Sequence, residues 1–356
     1  MSPMKRLLIV AIVSAALLCS TIGCSRLGYY GQSVGGHLSL LAGREPVARL
    51  LEDEATAPKR RKQLRLASEI RDYASHRLRL PDNDSYRDYV ELDRPYVVWN
   101  VVATPELSLE PIRWCFPVVG CLTYRGYFDE AAARAYAEPL REQGHDVMVR
   151  GVRAYSTLGW FDDPLLSSML DQGALATAEV IFHELAHQIL YVRDDTIFNE
   201  AFASTVGELG VKQWLTDLHP EWLADYDAAL RRRDQFLTLL RNTSDALRTL
   251  YASAVPEAEK RAGKQRILAR LREEYTHLKR GWGGFDGYDP WFETPVNNAR
   301  LISVAVYRDR VPDFMRWFDA CGRDYDRFYS AVKRMGKLPR ARRHEVLTGA
   351  ADCSAG

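Results

Sequence analysis

His183-Glu184-Leu185-Ala186-His187 sets two imidazoles four residues apart with a carboxylate beside the first. On a helix such residues share one face, so both rings can reach a single ion. Glu184 projects about 100° round the axis from His183, towards a water on that ion. The chemistry that needs these groups from one turn is metal-assisted hydrolysis: the ion acidifies a water and polarises a carbonyl, while Glu184 takes a proton and passes it to the leaving amine. The expected cofactor is one Zn2+ ion, which in catalytic sites takes three protein ligands and leaves a position open.

The third ligand is expected to be Glu200, within Phe198-Asn199-Glu200-Ala201-Phe202-Ala203. Arg193-Asp194-Asp195 reads as a short turn that sends a second helix back antiparallel. If the first helix runs about five residues past His187 at 1.5 Å each, a return of similar length brings residues 199–203 level with the histidines. Glu208 and Asp195 are the alternatives. Buried without an ion, two histidines and two glutamates would leave charge uncompensated, whereas a divalent ion neutralises and orders them. Tyr155, Tyr288 and Tyr307 are candidates for the oxyanion donor such a reaction requires. Asp162, Asp163, Asp194 and Asp195 are candidates for orienting a histidine ring or binding a substrate amine.

The elements that must hold these groups are legible in outline. Residues 46–80 carry a helical pattern. Residues 95–102 and 117–119 read as strands, 129–143 as an Ala-rich helix closed by Gly144, and 146–155 as another strand. Ala154-Tyr155-Ser156-Thr157-Leu158-Gly159-Trp160 reads as a strand edge on which an extended peptide could pair. After Gly173 the pattern is helical: the His183 segment from about Ala174 to Tyr191, then 198–214, 222–251 and 257–278, broken by the Gly-rich aromatic run 281–288. The fold class expected is α+β, a small mixed sheet lobe followed by a mainly helical lobe, with the active-site helix between them. The corresponding divisions are a helical lead-in over 24–92, an α/β lobe over 93–172 and a helical lobe over 173–356.

Lys5 and Arg6, the apolar run Leu7 to Leu18 and the small residues leading to Cys24 form a leader over residues 1–23. Thr21-Ile22-Gly23-Cys24 resembles a lipobox, which would anchor the mature chain to a membrane through a lipid on Cys24. The expected location is the bacterial cell envelope, facing the periplasm. Cys115 and Cys121 are close enough to close a small loop, leaving Cys321 for Cys353; other pairings stay open. With 48 Lys+Arg against 47 Asp+Glu, the chain presents no field that would favour nucleic acid; the expected substrate, a peptide, follows from the histidine motif. No protein partner is indicated.

Trp114-Cys115-Phe116-Pro117-Val118-Val119-Gly120-Cys121, Tyr124-Arg125-Gly126-Tyr127-Phe128-Asp129, the 154–160 segment, the histidine motif and Phe198 to Ala203 together resemble the predicted bacterial aminopeptidase family of secreted or lipid-anchored proteins, a branch of the glutamate zincins. The resemblance implies a zincin-like fold with His183, His187 and Glu200 as zinc ligands, Glu184 as base and hydrolysis at peptide N-termini. Three features depart from the better-known relatives: there is no G-x-M-E-N strand, only 12 residues separate His187 from Glu200, and Ser204 stands where an acidic residue often follows.

Overall fold

The structure, a computed structural model, describes residues 29, 31–116, 120–305 and 310–353. The leader, Cys24, the expected strand residues 117–119 and Tyr307 lie outside the described residues.

The described chain opens with α1 (31–42), β1 (Glu45–Pro46), α2 (Val47–Glu52) and α3 (Pro58–His76). Strands β2 (Asp88–Val90), β3 (Val98–Pro105), β4 (Trp114–Phe116), β5 (Gly120–Leu122) and β6 (Arg125–Tyr127) follow, then α4 (Glu130–Glu142), β7 (His145–Val152), β8 (Leu165–Leu166) and α5 (Ser167–Leu170). From there come α6 (Ala174–Ile189), α7 (Thr196–Leu218), α8 (Leu223–Ala252), α9 (Glu257–Gly281), α10 (Asp289–Phe292), α11 (Asn298–Ala305), α12 (Val311–Ala320), α13 (Tyr325–Gly336) and α14 (Arg340–Thr348). This is the expected α+β layout, small sheets ahead of a mainly helical C-terminal part.

The central sheet has the order β6-β3-β7, and β3 pairs antiparallel with β7 from Val98↔Val152 to Pro105↔His145. Side chains alternate across β3. Trp99, Val101 and Ala103 bury against Ala133 and Ala137 of α4, while Val102 faces the other way, into the core made by α8, α9 and α11. A separate, larger core joins α3, α6 and α7 to α12 and α13, which return to it after the α8–α11 excursion.

One strand expectation is overturned. Residues 153–164 form an irregular loop with a turn at Leu158-Gly159, both in the left-handed region at φ 57° and 82°. Both carboxylate oxygens of Asp163 accept the Thr157 N–H, at 3.0 and 2.9 Å, and the Ser156 hydroxyl lies 3.2 Å from Oδ2. That side chain folds the segment back on itself, so no straight edge remains for a peptide to pair with.

α6 buries Ala178, Ile181, Phe182, Leu185 and Ala186, a stripe of helical spacing, and presents its histidines towards α7. α7 is buried on nearly every side and approaches α6 closely because two glycines face its neighbours. A Cβ on Gly210 would lie 2.6 Å from Leu78 Cδ1 and 2.7 Å from Phe182 Cδ2. Gly210→Val is therefore expected to lower stability by about 1–3 kcal/mol through overpacking, read as a shift in the urea midpoint. Cys115–Cys121 closes the β4–β5 hairpin and Cys321–Cys353 ties the tail to the end of α12, the pairing read first from the sequence. Among the described residues no helix is long and apolar enough to cross a membrane.

Candidate metal centre

The turn between α6 and α7 is short and doubly fastened. Asn199 Nδ2 donates to the Val192 carbonyl at 2.7 Å and its Oδ1 accepts the Val192 N–H at 2.8 Å. Asp194 Oδ1 accepts the Cys121 N–H at 2.8 Å, which ties the disulfide hairpin to the same turn. Asp195 caps α7 and sits, 1% exposed, against Arg343 and His344 of α14. Asp194 and Asp195 thus have structural partners. Glu208, the other alternative ligand, bonds Arg233 at 2.6 Å, and Arg233 reaches Glu179 at the same distance.

The hairpin brings Glu200 level with the two histidines. His183 Nε2 lies 3.1 Å from His187 Nε2 and 3.3 Å from Glu200 Oε2, and His187 Nε2 lies 3.7 Å from Glu200 Oε1. Ligand atoms at about 2.0–2.1 Å from a tetrahedral ion stand about 3.3 Å apart, so the three residues fit one zinc ion as they are placed. Among the described residues this is the one group of His, Cys, Asp and Glu side chains found with converging ligand atoms. Burial pushes the His187 ring down to about 4, leaving it neutral with a lone pair to offer. For Glu200, burial acts upward, but the His183 hydrogen bond and the two rings outweigh it and hold the carboxyl below its ordinary value.

Glu184 is not one of these three, and its carboxyl is buried near Ser156, Asp163 and Tyr86. Burial raises its carboxyl to about 7, His183 opposes the rise, and Glu200 and Asp163 add to it; a hydrogen bond from Ser156 lowers it. Ser156 Oγ also accepts the Leu158 N–H at 3.2 Å. Its single proton serves two carboxylates, Asp163 Oδ2 at 3.2 Å and Glu184.

A second segment is bonded to the same helix. One turn beyond Glu184, Gln188 accepts from Asn83 at 2.7 Å and donates to Ser85 at 3.1 Å. Arg71, fully buried on α3, holds that segment by donating to the carbonyls of Ser85, Pro81 and Asn83 at 2.7, 2.9 and 2.8 Å. Tyr86 follows in the left-handed region at φ 64°, and its hydroxyl is pushed well up by burial and by Glu184 and Asp163.

Tyr155 packs edge-on to Phe128, ring centroids 5.3 Å apart, in the loop that carries Ser156. Tyr288 stacks on Phe236 at 4.3 Å in the α8–α9 core, a different core from that of the triad. Sequence reasoning passed over Tyr191, whose ring lies 6.3 Å from that of His187 and whose hydroxyl is raised by burial and by Glu200. Its spacing of four residues from His187 was the available signal. Asp162 contributes its backbone carbonyl to Arg44.

A mixed fold with a helical hairpin that converges two histidines and a glutamate defines the class of molecule to compare. The chain matches the family described as "Putative aminopeptidase" over residues 28–347 and belongs to that family. Comparison with curated proteins and with solved structures gave no match.

Proposed function

We propose that the protein is a zinc-dependent peptidase of the bacterial cell envelope, anchored through a lipid on Cys24 and acting at peptide N-termini. The convergence of His183, His187 and Glu200 is the observation that carries this reading, and membership of an aminopeptidase family supports it. Bound there, the ion supplies Lewis acidity to the scissile carbonyl and to the attacking water. Glu184 takes the proton of that water and returns it to the leaving amine, a task suited to a carboxyl whose burial brings it to about 7. Ser156 holds the Glu184 carboxylate, and the Asp163 turn holds Ser156. Tyr191, whose ring lies 6.3 Å from that of His187, is the tyrosine assigned here to the oxyanion.

The test is hydrolysis of a peptide library with free and with blocked N-termini by protein whose metal is removed by chelator and restored as zinc. Zinc-restored cleavage of free N-termini alone establishes the aminopeptidase. Cleavage of blocked peptides makes it an endopeptidase, and metal binding without cleavage removes the catalytic reading altogether. Ser156→Ala, which deletes one hydrogen bond to a charged group, is expected to lower kcat by roughly ten- to a hundredfold at unchanged zinc content and KM. Steady-state kinetics on metal-matched protein checks it, and Ser156→Thr is expected to recover most of the loss.

A further inference from the structure

α1 is a surface helix without a charged residue, Gly31 to Ala42. Its inner face is fixed: Gln32 accepts the Phe128 N–H at 2.9 Å, a Cβ on Gly36 would stand 2.2 Å from the Phe128 ring, and Leu40 is buried. Its outer face shows Val34 and Leu38, one turn apart and 58% and 56% exposed. His37, about 60° round the helix from Val34, meets the ring of Phe161 at 5.0 Å and of Tyr155 at 5.8 Å. The 153–164 loop therefore abuts this helix, and beside the contact it exposes Trp160 at 74% and Phe161 at 53%. Four of the seven large hydrophobic residues exposed among the described residues lie on this one joined surface.

The position of the patch along the chain names its occupant. Cys24 precedes Tyr29 by five residues, and five residues span at most about 18 Å when fully extended. A lipid on Cys24 would hold Tyr29 within that reach of a bilayer, and the start of α1, two residues further on, within about 25 Å. Firm attachment takes a second acyl chain or a second signal, and tryptophan is enriched where membrane meets water. We propose that Val34, Leu38, Trp160 and Phe161 form a bilayer-docking surface that settles into the membrane interface and holds the 153–164 loop against it. This rests on the envelope-anchored reading. Because Ser156 and Asp163 belong to that loop, docking sets the hydrolytic pocket beside the membrane, where envelope polypeptides emerge.

Lipidated wild type and lipidated Trp160→Phe are reconstituted on phosphatidylethanolamine–phosphatidylglycerol vesicles with brominated acyl chains, and tryptophan quenching is compared. Most of the bromolipid-sensitive emission is expected to vanish in Trp160→Phe, while both proteins float with the vesicles. Equal quenching in the two, or none in either while the wild type still floats, overturns the docking surface but leaves the anchor standing. Flotation of Cys24→Ser equal to that of wild type overturns the anchor instead. Joint replacement of the four residues by serine is expected to leave KM for soluble peptides unchanged. A several-fold rise in KM without any change in quenching would assign the patch to apolar substrates and overturn the proposal.

Discussion

Glu184→Gln is expected to keep the zinc content of the wild type and to lose turnover by about 10²–10⁴-fold, the range a positioned general base contributes. The substitution preserves shape, and its amide oxygen can still accept from Ser156. What it loses is the capacity to take a proton. Zinc content should not follow, because the converging atoms belong to His183, His187 and Glu200 and not to Glu184. Metal analysis beside initial rates on the same preparations checks both halves. A wild-type rate would end the role assigned to Glu184; lost zinc would place its carboxylate among the ligands.

The largest expected effect on stability falls on Asp195→Ala. Asp195 is 1% exposed, and it faces Arg343, itself 5% exposed, together with His344 at 3.0 Å. Removing the carboxylate leaves a buried guanidinium uncompensated, a loss of about 3–5 kcal/mol, to which the lost helix cap adds about 1 kcal/mol. Asp195→Asn is expected to keep the cap and forfeit the charge, falling between the two. The urea midpoint at fixed pH measures this. Glu200 lies five residues into the same helix, so the alanine variant should also bind zinc more weakly. An unchanged midpoint would mean that Arg343 reaches solvent once its partner is gone.

How far such groups can be read from sequence depends on how they are placed. The histidine pair rests on the helical period, which is rigid, and Glu200 on the length of a short turn, so simple geometry reaches all three. The pocket around Glu184 comes from residues 83–86 and 156–163, which have no period to follow. The 154–160 segment has the residue pattern of a strand. A carboxylate a few residues further on, at Asp163, bends it into a turn. Arg71 did leave a trace: Leu64, Ala67, Ala74 and Leu78 form a buried stripe, and a charged residue stands within it. Amphipathic patterning in the C-terminal half shows that α8, α9, α12 and α13 each bury a face. It does not say that the first two serve the sheet and the last two the α6–α7 core.

The hairpin that gathers the histidines and Glu200 draws on a single stretch of chain, whereas the Gln188–Asn83 bond spans 105 residues and the Asp195–His344 contact 149. Short loops close at little entropic cost and early, long ones late. On the proposed reading, a folding chain should therefore gather His183, His187 and Glu200 before the residues around Glu184 are in place. For the zinc peptidase proposed above, that order of assembly would mean a period of latency, in which the ion is held before cleavage is possible.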